Sequence, residues 1–182
     1  MKIMTLKDSI RTVPDFPVPG VQFKDITSIL ESPTAFNECM NAFANIAIEF
    51  CTTQVIGIDS RGFIFGSCLA YDLTVPLTLA RKPSKLPNPS YKRDYSLEYG
   101  KASLEIQQCS ALTSDDRVVI VDDLIATGGT AIACASIVHE EFNVPKENIL
   151  VLSVIDLPYL HGSEKLCENG YNVKSLVEFN NG

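Results

Sequence analysis

The feature that most constrains the fold of this chain is an apolar run that passes directly into two carboxylates and a glycine-rich loop. Residues 118–121 are uninterrupted valine and isoleucine, which is typical of a strand buried on both faces of a parallel sheet. Asp122 and Asp123 follow, and the loop comes after a short apolar stretch. Residues 130–142 are apolar on nearly every side of a helix. The segment therefore predicts a strand, an acidic strand end, a loop and a buried helix, in that order.

The loop between this strand and this helix has the composition of a phosphate-binding site. Gly128 and Gly129 let the backbone approach an anion closely, and Thr127 and Thr130 add hydroxyl donors. The start of the helix adds unpaired N–H groups and the positive end of its dipole. The loop lacks the Gly-Lys-Ser/Thr ending of a Walker loop and the spacing of the dinucleotide fingerprint. With two carboxylates beside it, the loop suits a phosphorylated sugar that has free hydroxyls.

Strand-like and helix-like segments alternate along the rest of the chain, which predicts one α/β domain with a central, mainly parallel sheet flanked by helices. The further predicted strands are 54–58, 75–80, 103–107, 149–155 and 173–179, and the further predicted helices are 33–50 and 62–71. Ligands of such sheets bind at the carboxyl ends of the strands. Polar or candidate site residues follow four of the predicted strands: Asp59-Ser60-Arg61, Arg81-Lys82, Asp122-Asp123 and Asp156-Leu157.

Composition narrows the class of protein. The formal net charge of −7 argues against a nucleic-acid partner. No stretch is long and apolar enough to span a membrane, and residues 1–8 lack the apolar region of a secretory signal. The six cysteines are scattered without metal-ligand spacing, which predicts reduced thiols in a cytoplasmic protein.

Two segments are predicted to lack regular structure. The first thirty residues contain Pro14, Pro17 and Pro19. Residues 81–103 contain three more prolines and several basic residues, and loops of this length in compact domains are usually functional lids or disordered. A solvated basic loop is the alternative for 81–103. We predict a lid, because its lysines and arginines would neutralise a phosphorylated ligand and exclude water from it.

The run 121–130 resembles the phosphoribosyl-diphosphate signature of the type I phosphoribosyltransferases, in the version found in adenine phosphoribosyltransferases. Other segments occur in that family's order and spacing: 16–26, 59–63, 81–87 and 95–101. The resemblance covers most of the chain and thins after about Leu157. It implies a single-domain type I phosphoribosyltransferase fold over residues 1–182, with an N-terminal hood at 1–33 and a flexible lid loop at 81–103.

The resemblance also implies an activity, which is transfer of the 5-phosphoribosyl group of 5-phosphoribosyl diphosphate to adenine, giving AMP and diphosphate. It implies Mg²⁺ held mainly by substrate oxygens, a homodimer, and Glu98 as the catalytic group that handles the purine proton. The implied phosphate ligands are Ala126, Thr127, Gly128, Gly129 and Thr130, and the implied ribose ligands are Asp122 and Asp123. The implied diphosphate ligands are Asp59, Ser60, Arg61, Arg81, Lys82, Lys85 and Tyr99. The implied adenine ligands are Val21, Gln22, Phe23, Lys24, Ile125 and Leu157.

Two positions depart from the family pattern. Lys24 replaces the arginine that usually follows the phenylalanine, and Gln22 replaces a commoner apolar residue. The family reads adenine largely through the backbone of this segment, so recognition could survive both changes. Phe23 and Leu157 could equally be core residues.

Two other functions stay open at this stage. One is a sister transferase that uses hypoxanthine, guanine, xanthine or orotate, although it would be expected to lack the 16–26 and 95–101 matches. The other is a non-catalytic sensor of phosphoribosyl diphosphate, although the short acidic chain leaves no room for a DNA-binding module.

Overall fold

A five-stranded parallel sheet forms the centre of the computed structural model, which describes residues 5–97 and 100–180. The elements, in chain order, are β1 Arg11–Pro14, β2 Gln22–Asp25, α1 Thr27–Leu30, α2 Pro33–Glu49, β3 Gln54–Ile58, α3 Gly62–Leu73, β4 Leu77–Ala80, β5 Ser90–Leu97, β6 Gly100–Gln107, β7 Val118–Ile125, α4 Gly129–Phe142, β8 Ile149–Asp156, α5 Gly162–Glu168 and β9 Asn172–Glu178. Short 3-10 helices lie at Leu6–Ser9, Lys146–Asn148 and Pro158–Leu160. The predicted α/β class is confirmed.

The central sheet has the order β4-β3-β7-β8-β9, and its neighbouring strands are all parallel. Every residue of β8 is buried, as expected for a strand with helices on both faces. Strand β7 continues to Ile125, so the predicted end at residue 121 was wrong. Pairing with β8 extends β7 through the acidic residues, because Asp122 lies opposite Ser153 in the ladder.

Helices cover both faces of the sheet and enclose one core on each side. Helices α2 and α3 pack on one face, where the rings of Phe43 and Phe65 lie 6.0 Å apart. Helices α4 and α5 pack on the other face. The predicted start of α2 is confirmed, since Ser32 Oγ accepts a hydrogen bond from the Ala35 N–H at 3.3 Å. Helix α5 was not predicted, because its seven residues are too few to show a helical period.

The N-terminal segment contains a β-hairpin, so the prediction of irregular structure there was wrong. Strands β1 and β2 pair antiparallel, from Arg11 opposite Asp25 to Pro14 opposite Gln22. The prolines are compatible with this hairpin because Pro14 is the last residue of β1 and Pro17 lies in the connection.

The segment from residue 81 to 103 is also more regular than predicted. Strands β5 and β6 form an antiparallel ribbon from Ser90 opposite Gln107 to Leu97 opposite Gly100. The end of the ribbon nearest Ser90 packs on α4, where the ring centroids of Tyr91 and Phe142 lie 5.3 Å apart. Sequence periodicity could not show this contact. The prolines that suggested a loop precede the ribbon, and the predicted strand at 103–107 is confirmed as part of β6.

Candidate active site

The carboxyl ends of β3, β4 and β7 open into one cavity of about 710 Å³. Charged and hydroxyl side chains from widely separated parts of the sequence line it, and these include Asp59, Ser60, Arg61, Lys82, Asp122, Asp123 and Thr130. Residues that follow the predicted strands 54–58, 75–80 and 118–121 thus meet at this edge of the sheet, whereas Asp156 and Leu157 are not among the residues that line this cavity. A cavity with both cationic and anionic walls suits a ligand that carries phosphate groups and hydroxyls.

The two carboxylates at the end of β7 have different environments. Asp123 is 5 % exposed, and its Oδ2 lies 2.9 Å from Arg61 Nε. The Asp123 N–H donates to Asp122 Oδ1 at 2.9 Å. Burial raises the pKa of Asp122 well above its usual range, and the negative charge of Asp123 raises this pKa further. The protonated form of Asp122 is therefore favoured unless a positive charge lies nearby.

The turn after β3 brings Arg61 to the cavity. Arg61 is the residue immediately before α3, and the Asp59–Ser60 peptide bond just before it is cis. A side chain at Gly62 would collide with the carbonyl oxygen of Val121, so glycine lets the start of α3 rest directly against β7. This close approach places the Arg61 guanidinium beside Asp123.

The basic residues after β4 divide between the cavity and its rim. Lys82 lines the cavity. Arg81 Nε lies 3.2 Å from Asp59 Oδ2, and Arg81 Nη1 donates to the Lys85 carbonyl at 3.1 Å. The predicted diphosphate ligands Asp59 and Arg81 are thus ion-paired with each other. Lys85, a third predicted ligand, contacts Arg81 through its backbone carbonyl.

The glycine loop joins β7 to α4 as predicted. Gly128 has a φ of +79° in the left-handed region, where glycine is favoured, and α4 begins at the next residue. The first N–H groups of α4, which lack partners within the helix, therefore border the loop. Thr127 and Thr130 are each half-buried, and Thr130 lines the cavity.

A second cavity of about 340 Å³ adjoins the first, and Arg61 and Leu124 line both. Its other lining residues come from the N-terminal hairpin and from the connection after β8, and they are Gly20, Val21, Gln22, Phe23, Lys24, Leu157, Tyr159 and Leu160. Five of the six predicted adenine ligands lie here. The sequence reasoning missed Tyr159 and Leu160, although an apolar pair just after a predicted strand end could have indicated them.

Ile125 is the predicted adenine ligand that lies elsewhere. Its side chain is 2 % exposed and packs in the core beneath α4, away from the described walls of both cavities. Its carbonyl accepts the N–H of Leu157 at 3.0 Å. Leu124, the preceding residue, lines both cavities.

Aromatic and cationic groups form the wall of the second cavity. Phe16 and Phe23 pack edge to face with centroids 5.1 Å apart, and Arg61 Cζ lies 5.9 Å from the Phe23 ring. Lys24 is 9 % exposed, its Nζ donates to Thr12 Oγ1 at 3.2 Å, and the same Nζ lies 4.4 Å from the centre of the Phe179 ring. Burial, followed by the charge of Lys7, lowers the pKa of Lys24.

Two predicted site residues, Glu98 and Tyr99, lie outside the described residues. Within 5–97 and 100–180, no group of three or more histidine, cysteine, aspartate or glutamate side chains is arranged to hold a metal ion. All six cysteines, which belong to this described part of the chain, are free thiols. None of the helices described is long and apolar enough to cross a membrane.

Known proteins resemble this chain over nearly its full length. The family model described as phosphoribosyl transferase domain matches residues 25–145. An adenine phosphoribosyltransferase of Marinobacter nauticus is 45 % identical over 175 residues, covering 96 % of this chain and 95 % of the relative. One from Gloeobacter violaceus is 44 % identical over 176 residues, covering 97 % and 100 %.

Solved structures agree with these sequence matches. The adenine phosphoribosyltransferase of Giardia lamblia complexed with 9-deazaadenine has a TM-score of 0.89 at 33 % identity, covering 98 % of this chain and 99 % of that one. The enzyme of Thermoanaerobacter pseudethanolicus has a TM-score of 0.86 at 39 % identity, covering 96 % and 100 %. Fold and site thus define a phosphoribosyltransferase of type I. Within that class, the chain belongs to the adenine phosphoribosyltransferase family.

Proposed function

We propose that this protein transfers the 5-phosphoribosyl group of 5-phosphoribosyl diphosphate to adenine, giving AMP and diphosphate in purine salvage. The observation that carries the proposal is the pair of adjoining cavities in a member of this family. One cavity is polar and bordered by a glycine loop, the other is partly aromatic, and both are lined by Arg61 and Leu124. A ribose at the junction would hold its phosphates in one cavity and its base in the other.

The sugar side of the reaction belongs to β7 and the loop after it. Residues 126–130 would bind the 5-phosphate through backbone N–H groups and threonine hydroxyls. Asp122 and Asp123 would face the ribose hydroxyls and stabilise the positive charge that develops at the anomeric carbon. A positive charge beside Asp122 would offset its raised pKa and favour the ionised carboxylate.

The leaving diphosphate would lie beside Ser60, Arg61 and Lys82. Arg61 and Lys82 line the polar cavity, and guanidinium and ammonium groups neutralise phosphate charge. Arg81, Lys85 and Tyr99 would join them when the segment 81–103 closes, which we propose acts as a lid. Closure would exclude water from the sugar cation.

We also propose Mg²⁺ as the cofactor, bound mainly through substrate oxygens. The residues present fit such an ion, because Asp59 and Asp123 are already paired with arginines and the described residues offer no protein cage. A bound Mg²⁺ would supply charge neutralisation for the diphosphate.

The base side of the reaction belongs to the N-terminal hairpin and the connection after β8. Adenine would lie between Phe23 and Leu157, and the backbone of 21–24 would read its edge. Glu98 would position the purine and accept its proton. We propose that residues 1–33 act as a hood over this pocket.

Three further features are part of the proposal. The protein would act as a homodimer, in which Arg81 could reach the site of the partner subunit. The free cysteines are compatible with a reducing compartment, and we propose the cytoplasm. The substrates are small molecules, and the net charge of −7 disfavours nucleic acid as a partner.

One assay tests the proposed function against its alternatives. The purified protein is incubated with 5-phosphoribosyl diphosphate, Mg²⁺ and one base at a time, and the nucleotide product is identified. AMP from adenine alone supports the proposal. A nucleotide from hypoxanthine, guanine, xanthine or orotate in place of AMP would indicate a sister transferase, and no product with any base would indicate a sensor.

A further inference from the structure

A buried carboxylate at the end of β8 has no role in the proposed reaction. Asp156 is 6 % exposed, and its Oδ2 accepts a hydrogen bond from Ser163 Oγ at 2.5 Å. Its other oxygen, Oδ1, is buried without a hydrogen-bond partner among the described residues. Burying a carboxylate costs free energy, and the short hydrogen bond from Ser163 offsets part of that cost.

Ser163 is the second residue of α5, and the residue before it touches the glycine loop. A side chain at Gly162 would collide with the Ala126 carbonyl oxygen and come within 2.7 Å of the Gly128 nitrogen. A side chain at Gly128 would in turn lie 2.7 Å from the Gly162 carbonyl oxygen. The start of α5 and the glycine loop therefore rest on each other backbone to backbone.

The segment 156–163 also contacts the second cavity. Leu157, Tyr159 and Leu160 line that cavity, and the Leu157 N–H donates to the Ile125 carbonyl at 3.0 Å. The segment thus forms one wall of the second cavity, which is the proposed base pocket. It also packs behind the glycine loop at 126–130, which is the proposed phosphate loop. The Asp156–Ser163 bond joins the two ends of this segment.

We infer that Asp156 and Ser163 are positioning residues for the phosphate loop. Their hydrogen bond fixes the first turn of α5, which presses Gly162 against the loop and sets the direction of the N–H groups of residues 126–130. Loss of the bond lets α5 move away and loosens the loop. The Leu157 N–H bond to the Ile125 carbonyl holds the other end of the segment in place, so the consequence falls on ligands that carry the 5-phosphate rather than on free adenine. This inference rests on the proposed function for its kinetic readout.

The decisive variant is Ser163→Ala, which removes only the hydroxyl that reaches Asp156. Loss of a charge-assisted hydrogen bond corresponds to about a tenfold change in an equilibrium constant. We expect the KM for 5-phosphoribosyl diphosphate and the Kd of ribose 5-phosphate, measured by calorimetry, to rise by about tenfold. The KM for adenine and kcat stay within about twofold, and Ser163→Thr, which keeps the hydroxyl, restores the parent values.

A control variant removes a hydroxyl–hydroxyl hydrogen bond of β8 that does not involve the segment 156–163. Ser153 Oγ and Ser175 Oγ lie 2.7 Å apart. Ser175→Ala is expected to lower the melting temperature without changing either KM. Gly162→Ala is a second variant, because its added methyl pushes α5 from the loop, and it is expected to weaken ribose 5-phosphate binding more than Ser163→Ala does.

Several outcomes would overturn the inference. The first is an unchanged Kd for ribose 5-phosphate in folded Ser163→Ala. The second is an equal rise of this Kd in Ser175→Ala. The third is an equal rise of the KM values for both substrates in Ser163→Ala. The binding measurement needs no turnover. If the parent protein made no AMP, the proposed function would fail while the Kd comparison would still test the positioning role.

Discussion

Arg61 Nε lies 2.9 Å from the carboxylate of Asp123, at the boundary between the two cavities. The ion pair orients a guanidinium that lines both cavities. Its partner is 5 % exposed, so the pair is shielded from solvent on the Asp123 side. In the proposed reaction, this places a fixed cation where the bond between ribose and diphosphate breaks.

Replacing Arg61 by glutamine should weaken binding of 5-phosphoribosyl diphosphate, because the ligand loses a cation and Asp123 loses its partner. Hydrogen bonds to charged groups contribute about 1.5–3 kcal/mol, so the KM should rise by roughly ten- to a hundredfold. Steady-state kinetics with varied 5-phosphoribosyl diphosphate measure this. Arg11→Gln is the control, since Arg11 pairs with Glu31 at the surface and should leave the KM unchanged. Equal effects of both changes would contradict the assigned position of Arg61.

Asp122→Asn should increase stability at neutral pH while it reduces turnover. Because folding raises the pKa of Asp122, the ionised carboxylate destabilises the folded state, and stability is lost as pH rises from the unfolded pKa through the raised folded pKa. The asparagine amide stays neutral, so the variant does not lose this stability. Its melting temperature should be higher than the parent's at pH 7 and equal to it at acid pH. Turnover should fall about a hundredfold, as for other lost transition-state charge interactions.

Thermal unfolding across a pH series measures the stability difference for Asp122→Asn. Asp115→Asn, at an exposed position, is the matched control. A lower melting temperature for Asp122→Asn at pH 7 would show that its carboxylate is stabilising, contrary to the raised pKa.

Glu98→Leu should reduce kcat by about 10²–10⁴-fold, the usual contribution of a general acid or base, with little change in affinity for 5-phosphoribosyl diphosphate. Single-turnover kinetics and calorimetry separate the two quantities. Glu98→Gln, which keeps the shape without the basic oxygen, should behave like the leucine variant. Unaltered turnover in either would remove Glu98 from the mechanism.

Lys24→Met and Gln22→Ala should each preserve the preference for adenine over hypoxanthine. The Lys24 ammonium is held by Thr12 and the Phe179 ring, so the proposed recognition through the backbone of 21–24 does not need it. Competition between the two bases at fixed 5-phosphoribosyl diphosphate gives the ratio of kcat/KM values. A change of more than about tenfold, worth 1.4 kcal/mol, would assign base recognition to these side chains.

Local patterns predicted the central sheet well. The apolar run at 118–121 identified a buried strand, and the glycines after it identified the loop before α4. What the pattern could not show was that pairing with β8 carries β7 on to Ile125, so that the two acidic residues lie within the strand rather than after it. The resemblance implied Ile125 as an adenine ligand, whereas its side chain lies in the core.

Long-range contacts explain the remaining differences. The ribbon of β5 and β6 depends on cross-strand pairing and on Tyr91 packing against Phe142, neither of which leaves a periodic pattern. The contact between Gly128 and Gly162 joins residues far apart in sequence, and helix α5 is too short to be recognised alone. Family resemblance supplied Glu98, a position outside the described residues.

The measurement that tests the central claim most directly is the stoichiometry of the adenine reaction. Purified protein is mixed with 5-phosphoribosyl diphosphate, Mg²⁺ and adenine, and AMP and diphosphate are quantified together over time. The two products should appear in equal amounts and only when adenine is present. Diphosphate released without AMP, or no consumption of adenine at all, would contradict the assignment of the adjoining cavities to phosphoribosyl transfer.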